Sequence, residues 1–455
     1  MSRGEEHPLE RADKAYVWHP FTQMSEWMAE RPIIIESGEG ATLTDIHGVT
    51  YLDGVSSLWV TVHGHRHPEI DQAIRDQLDK VAHSTLLGLG NVPAVEFAEA
   101  LVAEAPPGLT KVFYSDDGST AVEVALKMAF QYWRRREPES RRTRFVSLRG
   151  GYHGDTLGGV SVGGIDLFHA AFRPLLFPTE QIPGPYCYRC ELGLTYPECE
   201  LACAEALGPA LERLEGEVAA VIVEPVVQGA AGMITAPPGH LRKIRELCDA
   251  HETLLICDEV ATGFGRTGTI FACEQDGVSP DILCLAKGIT GGYLPLAATL
   301  VTEEIYEAFL GPYEDQKSFF HGHSYTGNPL GCAAGLASLR ILQRPATKGH
   351  LKALIERLAL GLERIRGLAH VGEVRQRGLM VGIELVRDKE SREPYGWEER
   401  MGIKTILEAR AQGVILRPLG NVIVLMPPVG MTLEQCDRLL EVTEASIKAA
   451  TEKGE

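Results

Sequence analysis

Pro280-Asp-Ile-Leu-Cys-Leu-Ala-Lys287-Gly-Ile-Thr-Gly-Gly-Tyr-Leu-Pro-Leu-Ala297 sets a short apolar run directly against a lysine and a glycine-rich turn. Residues 282–286 have the length and apolar content of a buried strand. The glycines that follow break the chain away from it. A lysine delivered by the end of a buried strand has poor access to water. It gives up its proton more readily and becomes an amine nucleophile. The plainer alternative is a lysine that snorkels at a strand end.

Working outward, other short apolar runs at 111–115, 144–147, 219–223 and 253–257 read as strands. Helical patterns lie between several of them. Residues 120–135 carry Val122, Leu126 and Ala129 on one face, and 241–251 form another. Alternating strands and helices predict an α/β fold, a large domain built on a mainly parallel central sheet. Ligands of such sheets bind beyond the carboxyl ends of the strands. After about residue 340 the pattern changes. Helices at 351–366, 400–412 and 433–451, with strands at 377–385 and 421–426, predict a smaller α+β domain. The expected division is residues 1–60 joining the small domain, 61–340 forming the large domain and 341–455 the small one.

A chain of 455 residues exceeds what one compact core usually holds. Its net charge of −18 disfavours binding to nucleic acid or to an anionic membrane through a general basic surface. No apolar run approaches the roughly 18 residues of a membrane helix. The opening Met1-Ser-Arg-Gly-Glu-Glu-His-Pro is polar, without a signal-peptide core, so the expected location is the cytoplasm. Ten cysteines do not make a secreted disulfide scaffold. Six are scattered, among them Cys257, Cys284 and Cys332, and read as small buried hydrophobes. The other four, Cys187-x2-Cys190-x8-Cys199-x3-Cys203, cluster in an apparent insertion at 183–206. They read as a zinc or iron–sulfur site, or as a loop packed by small side chains and tyrosines. No metal is assigned to the catalytic site. His63, His65 and His67 read as shaping a loop near substrate.

Four motifs carry chemistry. Ser115-Asp-Asp-Gly-Ser-Thr120 ends a strand, turns at Gly118 and Ser119 and opens a helix, which suits a phosphate, or plain capping. Gly150-Gly-Tyr-His-Gly154 sets Tyr152 among glycines, where it can lie against a planar ring, or simply turn the chain. Leu254-Leu-Ile-Cys-Asp-Glu259 places Asp258 at a strand end, to face a protonated ring nitrogen or to accept structural hydrogen bonds. Lys287 is the fourth. Together they are the parts that hold pyridoxal phosphate. Gly263-Phe-Gly-Arg-Thr-Gly268 fits G-x-G-x-x-G, but no crossover helix has room to open after it, which disfavours a dinucleotide site. Its Arg266 reads as an anchor.

With these motifs, the chain resembles the class III aminotransferases of fold type I over nearly its whole length. Trp18-His-Pro-Phe-Thr-Gln-Met24, Asp53-Gly-Val-Ser-Ser-Leu-Trp59, His321-Gly-His-Ser-Tyr-Thr-Gly-Asn-Pro329 and Arg417-Pro-Leu-Gly-Asn421 narrow the resemblance to the branch acting in biotin biosynthesis. It implies transamination of 7-keto-8-aminopelargonate to 7,8-diaminopelargonate. By the same resemblance Lys287 carries the Schiff base, Asp258 pairs with the pyridine nitrogen, Gly118 and Ser119 hold the phosphate, and Tyr152 stacks on the ring and touches substrate. His323 and Ser324 complete the phosphate site from the partner subunit, with Gly322 near substrate, so a homodimer with shared active sites is expected. Arg417 clamps the substrate carboxylate. The competing expectation is a class III ω-aminotransferase acting on a diamine or ω-amino acid, which leaves Trp18-His-Pro unexplained.

Two departures bear on the amino donor. Relatives using S-adenosylmethionine carry Tyr where this chain has Phe21, and two tryptophans where it has Leu58-Trp59. A hydroxyl and a large stacking surface are missing. The resemblance then favours lysine over S-adenosylmethionine as donor.

Overall fold

A computed structural model describes residues 6–452; residues 1–5, where the polar opening begins, lie outside them. The central sheet has seven strands in the order Leu109–Ser115, Ala297–Thr302, Ile282–Leu285, Leu254–Asp258, Val218–Val223, Arg144–Leu148 and Glu180–Ile182. The last five pair in parallel. Ala297–Thr302 runs antiparallel to both of its neighbours. Ile282–Leu285, Leu254–Asp258 and Val218–Val223 are buried along their whole lengths. A strand covered on both faces has no polar side to show, hence the unbroken apolar runs. The crossover helix Gly118–Arg136 buries Val122, Ala125, Ala129 and Trp133 against one face.

The C-terminal sheet is antiparallel, in the order Val371–Arg377, Met380–Asp388, Val422–Leu425 and Arg417–Leu419. The single strand expected at 377–385 is corrected here. Arg377 closes one strand and pairs with Met380 of the next. Between them Gly378 takes φ +60°, as a two-residue hairpin turn demands. Near the N-terminus, Ile35–Glu39, Thr42–Asp45 and Thr50–Asp53 pair antiparallel, and the third pairs in parallel with Val414–Ile415. Ser56 Oγ donates to Met426 O at 2.7 Å.

The G-x-G-x-x-G stretch is a turn. Gly265 and Gly268 have φ of +86° and +102°, and a 3₁₀ turn, Ala272–Asp276, follows in place of a crossover helix. Arg266 is fully buried and anchors protein to protein. It donates to Ser56 Oγ at 3.2 Å, Pro427 O at 3.1 Å and Thr61 O at 2.8 Å. Burial lowers its guanidinium to about 10. The alternate histidines each have a separate partner. His63 Nε2 lies 2.9 Å from Ser338 O, His65 Nε2 lies 3.0 Å from Asp53 Oδ2, and the backbone N–H of His67 donates to the Tyr293 hydroxyl. Among the described residues, no helix is long and apolar enough to cross a membrane.

His63 and His240 are buried, and burial lowers both to about 4. A histidine depressed in the fold stays neutral there while its unfolded counterpart binds a proton. Its contribution is present above about pH 6.5 and is lost as pH falls through 4. Each should cost ~3 kcal/mol of stability over that window. Urea midpoints measured between pH 7.5 and 4.5 should fall with acid. Replacing both with Gln should flatten that limb.

Candidate active site

A cavity of about 490 Å³ opens at the carboxyl ends of the central strands. Lys287 lines it, as the first residue of a 3₁₀ turn, Lys287–Thr290, which Ala286 joins to the strand Ile282–Leu285. Its φ of +48° is costly for a residue with a side chain and is held by the packed glycine turn. Gly288 sits where a Cβ would press Phe264 and Val62 at 3.0 Å. The Lys287 ammonium lies 4.9 Å from the centre of the Trp59 ring. Burial holds it below the usual lysine range, outweighing the attraction of Asp258 and Glu224.

Asp258 is the last residue of its strand and lies almost fully buried. Oδ2 is 2.7 Å from His153 Nδ1, and Oδ1 accepts from the Val260 N–H at 3.1 Å. Both oxygens are thereby fixed in orientation and keep lone pairs free. Tyr152 donates its N–H to Glu224 Oε1 at 3.0 Å and its hydroxyl to Asp155 Oδ2 at 2.8 Å. Burial, then Asp155, push that hydroxyl well above the tyrosine range. Glu224 also accepts from the Gly229 N–H at 2.9 Å, yet burial, with Asp258 adding, pushes its carboxyl up to about 7.

The opposite end of the cavity is a helix N-terminus. Asp117 caps the helix Gly118–Arg136 through the Thr120 N–H at 3.0 Å. Gly118 and Ser119, first in the helix, have no i−4 carbonyl for their own N–H groups. Those groups and the helix dipole suit an anion. Space there is tight. A Cβ on Gly118 would lie 2.5 Å from Val260, and one on Gly154 would lie 2.0 Å from Ser119 Oγ.

The structure gathers Lys287, Asp258, Tyr152, Gly118, Ser119 and Trp59 around one cavity. Other expected residues lie elsewhere. Arg417 is half-buried near Tyr152 but outside the cavity lining, its side chain without a hydrogen bond or ion pair among the described residues. Phe21 is exposed and meets the cavity indirectly. It packs edge-on against Phe168 at 5.6 Å, which packs edge-on against Tyr152 at 6.2 Å. Leu58 is 44% exposed and does not line the cavity. Gly322 and Ser324 face outward. His323 Nδ1 sits 2.8 Å from Oδ2 of Asp116, a residue of the cavity rim on the same chain.

Three further residues, His153, Glu224 and Phe168, were not anticipated. His153 stood in the quoted glycine motif beside Tyr152, and Glu224 follows the strand Val218–Val223 as Asp258 ends its own. That parallel was the available signal. Phe168 lies in the short helix Asp166–His169 and gave none.

A lysine, a braced strand-end aspartate and a helix N-terminus thus face one cavity at the carboxyl ends of a mainly parallel sheet. The family model for class III aminotransferases matches residues 23–447. Adenosylmethionine-8-amino-7-oxononanoate aminotransferase of Nitratidesulfovibrio vulgaris is 57% identical, over 98% of this chain and 82% of that protein. The Geobacter sulfurreducens enzyme of the same name is 55% identical, over 96% and 97%. The crystal structure of the Methanocaldococcus jannaschii enzyme of that name superposes with a TM-score of 0.92 at 46% identity, covering 97% of this chain and 98% of that one. An amine transaminase from an uncultivated Pseudomonas species, solved in its PLP-bound form, superposes at 0.88 with 38% identity, over 97% and 99%. The chain belongs to the class III aminotransferases.

Proposed function

We propose that this aminotransferase converts 7-keto-8-aminopelargonate (8-amino-7-oxononanoate) to 7,8-diaminopelargonate in biotin biosynthesis. In this reading it uses pyridoxal 5′-phosphate and works in the cytoplasm as a homodimer. The observation that carries the substrate is Arg417, a guanidinium beside Tyr152 that has no protein partner among the described residues. A partly desolvated guanidinium fork suits a planar carboxylate. The names of the relatives at 57% and 55% identity agree with that reading.

The donor set fits the cofactor. Asp258, braced by His153, can accept a ring N–H, the N–H groups of Gly118 and Ser119 can take a phosphate, and Tyr152 can cover a ring face. When bound, the cofactor supplies an electron-poor ring that takes up the electron pair left by a departing α-proton. Lys287 Nζ, held below its usual pKa, takes that proton from the substrate carbon as general base and gives it back as general acid. Arg417 fixes the carboxylate, and Trp59 walls the cavity beside Lys287. The outward-facing Gly322 and Ser324 would complete the cavity of a partner subunit.

Arg417→Ala should raise the KM for the keto acid roughly 10–100-fold with little change in kcat, because a charge-assisted contact made equally in ground and transition states is lost. Arg417→Lys should recover only part of it. Steady-state assays with 7-keto-8-aminopelargonate test both the residue and the reaction. Turnover of diamines or ω-amino acids but not of this keto acid would replace the reading with a general ω-aminotransferase.

For the donor, Phe21 and Leu58 support lysine, since neither offers the hydroxyl or the stacking surface suited to S-adenosylmethionine. The names of the relatives support S-adenosylmethionine. Mixing the cofactor-loaded enzyme with each donor and following the visible absorbance band decides between them. Bleaching by S-adenosylmethionine alone would remove the lysine reading.

A further inference from the structure

The catalytic site leaves the four-cysteine insertion unused. Cys187, Cys190, Cys199 and Cys203 all line one cavity of about 20 Å³, with Tyr186, Tyr196 and several leucines. That volume holds one water-sized atom. The cysteines form two pairs. Cys187 opens the 3₁₀ turn Cys187–Arg189, and Cys190 caps it. Side chains three apart on such a turn eclipse one another. Cys203 comes one turn after Cys199, at the entry to the helix Ala202–Glu205. No Lys, Arg or His lines the cavity.

The same turn is bonded to the C-terminal sheet. The Tyr186 hydroxyl and Arg189 Nε (2.6 Å) both donate to Glu384, and Arg392 donates to Tyr188 O at 2.6 Å. Glu384 is further held by Arg375 at 2.7 Å. The insertion has little regular structure to keep this clamp in shape.

We propose that Cys187, Cys190, Cys199 and Cys203 bind one zinc-like thiophilic divalent cation, which orders the insertion and secures its clamp on the C-terminal sheet. Two closely spaced cysteine pairs around an atom-sized cavity are the donor set of a closed tetrahedral structural site. Among the described residues no three ligating groups are already converged on one point. Binding therefore draws the sulfurs inward and releases their protons.

The test is metal analysis of the full-length holoenzyme, purified without chelators from zinc-containing medium. About one zinc per chain is expected, as for a single closed site. A mercurial should release it into a chromophoric chelator, and Co²⁺ exchange should give the bands of a tetrahedral thiolate site. Cys199→Ser with Cys203→Ser should lose the metal and speed hydrogen exchange across residues 183–206. Should that variant fail to fold, the wild-type measurements still decide. Less than about a tenth of an equivalent of zinc, with no cobalt bands, overturns the proposal. So do iron in its place, or a disulfide among the four.

Discussion

Lys287→Ala should abolish transamination, with kcat/KM falling at least ~10⁴-fold, since both a nucleophile and a proton carrier are lost. The two roles can be separated. Loss of the nucleophile should let the cofactor's visible band disappear on dialysis. Loss of the proton carrier should persist even when cofactor is supplied in excess. Small primary amines added to the variant should restore part of the proton transfer and none of the retention. Among the described residues Lys287 makes no hydrogen bond to a neighbouring side chain that would collapse with it, and its ammonium lies over the Trp59 ring. A melting temperature close to wild type should accompany the loss. An unfolded variant would show instead that the left-handed turn at 287 depends on the lysine itself.

Asp258→Asn is expected to cost ~10³-fold in kcat while the shape of the cavity survives. The amide still reaches His153 Nδ1 and can still accept from Val260, so the strand end should hold. What disappears is the negative charge facing the cavity. Asp258→Glu keeps the charge but displaces it, and should fall between Asn and wild type. A spectroscopic pH titration of the bound cofactor should shift in the Asn variant, which a merely structural aspartate would not cause. Equal activity of the Asn variant would move the role to Glu224, the cavity carboxyl that follows the neighbouring strand.

The main lines of the fold were legible because buried parallel strands leave unbroken apolar runs, and only Ala286 separates Ile282–Leu285 from Lys287. Direction was not legible. Ala297–Thr302 is nearly as buried as Ile282–Leu285 but runs the other way, and an apolar run carries no sign of its sense. The hairpin at Gly378 was hidden because Arg377 and Leu379 continue the texture of a strand. In the site, residues that act through side-chain chemistry at strand ends were legible. Residues that act by bracing them were not. His153 matters through one 2.7 Å contact with Asp258, and Phe168 by standing between Phe21 and Tyr152. Such contacts join segments distant in sequence, and no local pattern encodes them.

The bond from Ser56 to Met426 spans 370 residues of chain. Trp59, three residues further on, walls the cavity. At 5–20 residues per second of synthesis, roughly 20–70 s separate the emergence of the two ends of that bond from the ribosome. The N-terminal strands therefore wait, unpaired on one edge, until the last tenth of the chain arrives. A nascent chain stalled before residue 414 should present a finished central sheet with an open active-site wall, and so a window in which a chaperone can hold it.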